Sequence, residues 1–186
     1  MILKQFLLPA AGMMCLAMMT GCNPKDAKLP VSAEAAMTAE AVLIDTDGKE
    51  IGEAHFTEAN GALTISVRAE GLAPGTHGIH LHEKAVCTPP DFKSAGGHFN
   101  PTGKQHGFDN PKGYHLGDLP NLEVGESGKV AVKVVMHNVT LQKGKPNSLL
   151  DEDGSALVIH AGPDDYKTDP AGDSGDRIVC GALEAK

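Results

Sequence analysis

From about residue 40 onward, apolar and polar positions alternate in short runs. In 62–69, Leu63, Ile65 and Val67 are apolar while Thr64, Ser66 and Arg68 are polar. Successive side chains of an extended chain point to opposite faces, so this period of two predicts a strand with one buried face. The same texture marks 41–45, 51–58, 78–82, 129–136, 156–160 and 177–183. Turn dipeptides separate the runs: Asp47-Gly48, Asn60-Gly61, Pro74-Gly75 and Ser127-Gly128. Short strands at this spacing predict an all-β sandwich or barrel. Two stretches, 85–122 and 161–176, have little strand pattern and are too long for turns. Loops of that length in a compact domain are usually functional or disordered. The histidines of the first and the arginine closing the second favour function.

The chain opens on a different pattern. Lys4 supplies a positive charge, and 6–19 is an apolar run broken only by Pro9 and Gly12. That run is short for a membrane span and fits the hydrophobic region of a secretory leader. It ends in Met19-Thr20-Gly21-Cys22, which resembles the processing site of bacterial lipoproteins, with Met19 where leucine is usual. An ordinary secretory leader with a cysteine nearby is the alternative. This reading gives a lipoprotein signal peptide at 1–21, a small, polar, flexible tether at 22–39, and a folded domain at 40–186. Lipid on Cys22 would anchor the domain to a membrane of the cell envelope, outside the cytoplasm. Cys15 leaves with the leader and Cys22 takes lipid, so Cys87 and Cys180 remain to pair in an oxidising compartment.

Composition adds three constraints. A length of 186 residues suits one domain, and 22 Gly, 12 Pro and no Trp suit many turns. A net charge of -8 without a basic stripe argues against a nucleic-acid partner. Nine histidines are unusual at this size and direct attention to metal-ligand spacing.

His80 and His82 form an H-x-H pair within a strand, where i and i+2 share a face and two imidazoles can converge on one ion. Alone the pair is weak. It is followed by His98, His106, His115 and Asp118, then by His160 at the end of another strand. One structural site needs about four ligands, so these seven candidates point to two metals with room for a shared ligand. His115 and Asp118, three apart, suit a tetrahedral zinc site with nitrogen and oxygen ligands. His80, His82 and His160 offer an all-imidazole site that suits copper in both oxidation states.

Four segments together resemble the copper/zinc superoxide dismutase family: Gly78-Ile79-His80-Leu81-His82-Glu83, Gly97-His98-Phe99-Asn100-Pro101, His115-Leu116-Gly117-Asp118-Leu119, and Gly172-Asp173-Ser174-Gly175-Asp176-Arg177-Ile178-Val179-Cys180-Gly181. The resemblance covers about residues 40–184 in order and spacing. It implies a Greek-key β-sandwich or flattened barrel of about eight strands, with a metal loop and an anion-channel loop. It implies copper on His80, His82, His98 and His160, and zinc on His98, His106, His115 and Asp118, with His98 as the bridge. Asp164 matches the carboxylate that links His80 to His106, Arg177 the residue that docks the anion, and Cys87–Cys180 the family disulfide. The activity implied is dismutation of superoxide to dioxygen and hydrogen peroxide, with His98 and water supplying protons. Some bacterial relatives lack copper ligands; all four are present here.

The second loop departs from expectation, with Lys167 its only cation against Asp164, Asp165, Asp169, Asp173 and Asp176. Steering of an anion by that loop is therefore in question. Among the remaining residues, His77 is expected to be a hydrogen-bonded core residue, and His55 and His137 to lie at the surface. Phe92, Phe99 and Phe108 are expected to pack the first loop onto the sheet. A metal-storage or delivery protein on the same fold would need the ligands but not Arg177. A plain adhesion sandwich would need neither. The sequence leaves monomer and homodimer open.

Overall fold

A computed structural model describes residues 36–186. The predicted leader, Cys22 and most of the tether lie outside the described residues. The described residues form ten strands: β1 (Met37–Asp45), β2 (Glu50–Ala59), β3 (Ala62–Glu70), β4 (Gly75–His77), β5 (Ile79–His82), β6 (Leu122–Val124), β7 (Lys129–Met136), β8 (Ala156–His160), β9 (Arg177–Ala182) and β10 (Glu184–Ala185). Seven run in the order β5-β8-β9-β1-β2-β3-β7, β10 adds to β1, and β4 and β6 form a separate ribbon. Every pairing is antiparallel, and the sheet curls into a half-barrel.

All seven predicted strands are present. In β3 the buried positions are Leu63, Ile65, Val67 and Ala69, as the period of two requires. The tether boundary needs correction: β1 starts at Met37, inside 22–39. Its period runs through Ala39 and Ala41, each 2% exposed, and alanines too small to mark a pattern hid it. The unforeseen β4, β6 and β10 have three residues or fewer, too short to show any period.

β8 is buried along its whole length, and its two faces serve different ends. Leu157 and Ile159 join the main core inside the curl, with Leu43, Phe56, Leu81 and Phe99. Ala156 and Val158 face outward into a second apolar cluster with Phe92, Ala95 and Cys180. That second cluster seats the first loop on the outer face of the sheet, and the Cys87–Cys180 disulfide, spanning 93 residues, fastens it there. Phe92 and Phe99 thus pack as expected. Phe108 is left 42% exposed: it packs at a tilt against Tyr114 and Tyr166, ring centroids 4.9 and 5.6 Å away, over a cavity it shares with Val134 and Met136 of β7.

Candidate metal centre

His80 and His82 project from β5 to the same outer face, and both are fully buried. β5 is an edge strand, and the first loop completes it. Leu81 N–H donates to the Gly117 carbonyl (2.8 Å), Phe99 N–H to the Leu81 carbonyl (2.8 Å), and Glu83 N–H to the Gly97 carbonyl (3.0 Å). This main-chain pairing sets His98 beside His82 and Asp118 beside His80. Gly117 has to be glycine, since a Cβ there would lie 2.3 Å from the Leu81 carbonyl oxygen. On the neighbouring strand, a bulge between Ile159 and His160 ends β8 next to Arg177 and re-aims the chain at the site.

His80, His82, His98 and His160 bring one ring nitrogen each to within 4.8 Å of one another. For three of them the opposite ring nitrogen is pinned. His80 Nε2 lies 2.8 Å from Asp164 Oδ2, His82 Nδ1 lies 3.1 Å from the Gly96 carbonyl, and His160 Nδ1 lies 3.1 Å from the Gly175 carbonyl. A nitrogen facing an acceptor carries the proton, so the inward nitrogen keeps its lone pair. The four inward atoms, His80 Nδ1 and the Nε2 atoms of His82, His98 and His160, are buried without a hydrogen-bond partner. Polar atoms rarely stay buried and unpaired, and four lone pairs aimed at one point fit a cation with nitrogen ligands. Burial also pushes these rings toward the neutral, ligating form. It lowers His80 to about 3 and His160 to about 4, and lowers His82 and His98 as well.

A second group surrounds Asp118. Its Oδ1 lies 2.9, 3.1 and 3.4 Å from the Nδ1 atoms of His98, His106 and His115, and its Oδ2 accepts the N–H of Gly107 (2.9 Å) and of His115 (3.0 Å). Burial would raise this carboxyl, yet the hydrogen bonds win and hold it far below the usual range. His80, His98, His106 and Asp118 also fall within 4.8 Å of one another. We assign His115 rather than His80 to this group. His80 directs one nitrogen at the first group and the other at Asp164, so no lone pair remains, whereas His115 Nδ1 lies 3.3 Å from His98 Nδ1. Burial disfavours charge on His106 as well, but Asp118 and Asp164 on either side hold it up at about 9.

Asp164 joins the groups: Oδ2 meets His80 Nε2 at 2.8 Å and Oδ1 meets His106 Nε2 at 2.9 Å. His77 is buried, with ring nitrogens 2.7 Å from the His160 carbonyl and 2.9 Å from that of Ala73, so it braces the main chain of a candidate ligand. His55 and His137 are exposed. A cavity of about 480 Å³ reaches His82, His98 and His160 from outside and is lined by Glu83, Asn100 and Arg177. The Arg177 guanidinium donates to the carbonyls of Phe92 (2.8 Å) and Gly96 (2.7 Å). The Gly96 carbonyl therefore meets both Arg177 and His82. Three of the five loop acids turn to internal work. Asp164 faces the histidines, Asp165 accepts the N–H groups of Lys167 and Thr168 at 2.8 Å, and Asp169 accepts that of His106 at 2.7 Å. Nothing in the residue types announced the roles of Asp169 or of the Phe92 and Gly96 carbonyls.

The geometry agrees with comparisons to known proteins. Residues 50–183 match the family described as copper/zinc superoxide dismutase (SODC). A superoxide dismutase [Cu-Zn] of Aquifex aeolicus is 52% identical over 148 residues, covering 79% of this chain and 86% of that one. The crystal structure of a double mutant of a superoxide-dismutase-like protein from Bacillus subtilis superposes with a TM-score of 0.75 at 51% identity, over 77% of this chain and 95% of that one. The Cu/Zn superoxide dismutase from Brucella abortus gives 0.62 at 31% identity, over 79% and 99%. The chain belongs to the copper/zinc superoxide dismutase family. It is an enzyme of that class, and its cofactors are copper and zinc.

Proposed function

We propose that copper is held by His80, His82, His98 and His160 and zinc by His98, His106, His115 and Asp118. On this reading the enzyme dismutates superoxide on the outer side of the cytoplasmic membrane, protecting the cell envelope from extracellular superoxide. The four inward imidazole nitrogens at the foot of a cavity that also carries Arg177 support this best. Copper, when bound, supplies the one-electron acceptor for one superoxide and the donor for the next. Arg177 binds and orients the anion, held rigid by two main-chain carbonyls so that little motion is lost on docking. The second superoxide needs two protons to leave as hydrogen peroxide. His98 Nε2, at the cavity wall without a protein partner, holds and hands over one, and water supplies the other. His98 Nδ1, on the side of Asp118 where zinc would bind, would hold the ring in place while that proton moves.

Export is supported by the leader pattern ending at Cys22 and by the Cys87–Cys180 disulfide, a bond at home in oxidising compartments. Lipid on Cys22 would give the membrane partner. Metal analysis beside superoxide-dependent activity on the full chain tests the site. One copper and one zinc with activity is expected, and metal-loaded protein without activity would favour storage or delivery. Mass spectrometry of the mature N-terminus tests the anchor, and an unmodified terminus at any residue but Cys22 would overturn it.

A further inference from the structure

Asp164 touches both ligand groups, yet it sits in the second loop, away from the strands that carry most of the ligands. Something must hold its carboxylate at the right height and angle. The side-chain amide of Asn121 takes both main-chain groups of Asp164. Asp164 N–H donates to Asn121 Oδ1 (2.9 Å), and Asn121 Nδ2 donates to the Asp164 carbonyl (2.9 Å). That is the reciprocal pairing of two strand residues, made here by a side chain. A second link closes a ring. Asn121 N–H donates to the Tyr166 hydroxyl (2.7 Å), and Tyr166 N–H donates to Asp164 Oδ1 (2.6 Å). Asn121 directly precedes β6, whose partner β4 leads into β5 and its two histidines. The amide therefore ties the second loop to the ribbon that feeds the histidine strand. Gly172 closes the remaining side: a Cβ there would fall 1.8 Å from Asp164 Oδ1 and 2.7 Å from His106 Nε2.

We propose that Asn121 is a positioning residue of the metal centre, its amide fixing the main chain of Asp164 so that one carboxylate orients His80 and His106 together. The proposal rests on the ligand assignment above. It places the effect mainly on zinc. His106 has Asp164 as its outer partner, whereas His82 and His160 rest on the Gly96 and Gly175 carbonyls and do not depend on it. Carboxylates behind a ligating imidazole typically change metal affinity 10–100-fold when lost, and acting through one should give the lower end.

The test is competition titration with zinc on the full chain, with the visible spectrum of cobalt(II) in the same group. Asn121→Leu is expected to weaken zinc binding about tenfold and shift the cobalt bands, with a smaller change in copper retention. Asn121→Asp, which keeps the acceptor for Asp164 N–H, should restore part of the affinity and the bands. In an Asp164→Asn background, Asn121→Leu should add little, because groups acting through one contact are not additive. Unchanged zinc affinity and cobalt spectrum in Asn121→Leu, or its full effect persisting beside Asp164→Asn, would overturn the proposal. Hydrogen exchange at the Asp164 and Tyr166 amides of the metal-free chain reads the clamp independently. Asn121→Leu should accelerate exchange at Asp164 about tenfold or more, and no acceleration again overturns the proposal. The wild-type zinc titration judges the ligand assignment separately.

Discussion

In the group formed by His80, His82, His98 and His160, the four inward nitrogens have no hydrogen-bond partner. Around Asp118, by contrast, one carboxylate already collects three imidazoles and two main-chain N–H groups. The first group is kept neutral by burial, with carbonyls behind His82 and His160 and carboxylates behind His80 and His98. The second is organised around the negative charge of Asp118. On the proposed assignment of copper and zinc the difference suits their tasks: a cation that cycles between two charges wants ligands without fixed charge, while a structural cation wants a closed, charged cradle. His98 is common to both.

Removing that common residue should break the comparison most severely. His98→Ala is expected to lower copper retention, perturb the zinc group and cut activity by more than about 100-fold, since losing a ligand outweighs losing its outer partner. Metal analysis showing both ions held normally would refute the bridge.

Next in size is the loop that carries the second group. Cys87→Ser opens a closed loop of 93 residues and should cost about 4–5 kcal/mol of stability by loop-closure entropy. Calorimetry reads the stability, and copper retention should suffer more than zinc, because the Phe92 and Gly96 carbonyls that steady Arg177 and His82 lie in the loosened segment.

The metal-free chain should show the contrast as opposite responses to pH. Folded His80 and His160 stay neutral down to about 3 and about 4, while their unfolded counterparts protonate near 6.5. Between pH 6.5 and 4 the unfolded chain therefore takes up more protons and stability falls, by roughly 3 kcal/mol for His160 alone. His106, raised to about 9, behaves in the reverse sense: its contribution is complete below 6.5 and is lost as pH rises through about 9. Melting temperatures measured from pH 4 to 10 should trace both limbs, and His160→Gln should make the acid one shallower, leaving the share of His80, without changing the alkaline one.

The smallest effect should come from Arg177→Ala. Both metals should stay, with kcat/KM down about tenfold and weaker inhibition by small anions. Unchanged anion inhibition would place the docking charge elsewhere.

Strands and ligands were legible in the sequence to very different depths. β3 declared itself because Leu63, Ile65 and Val67 are large enough to mark a period, while Ala39 and Ala41 extended β1 unnoticed. The residues that cluster at the candidate metal centre were legible because imidazoles and carboxylates are chemically distinctive and recur at telling intervals. What steadies them was not. Arg177 rests on main-chain carbonyls about eighty residues away, and Asn121 binds main-chain atoms of Asp164. Every residue type has such atoms, so partners of this kind leave no mark on residue identity. The exposure of Phe108 was hidden for a related reason: an aromatic ring serves a sealed core and a half-open aromatic cluster alike.

The pairing of the first loop with β5 has one more consequence. The sheet has two edges, and β7 at one end bears Lys129 and Lys133, charges that discourage another chain from adding to it. β5, reading Ile79-His80-Leu81-His82, has no such guard. Its exposed side is occupied instead by the loop, which takes up the N–H and C=O of Leu81 and the N–H of Glu83. The contacts that place His98 and Asp118 therefore also keep an unguarded strand edge from meeting its copies. Cutting the disulfide should lead to ordered self-association as well as lost metal, with segment 79–82 protected from hydrogen exchange in the aggregates.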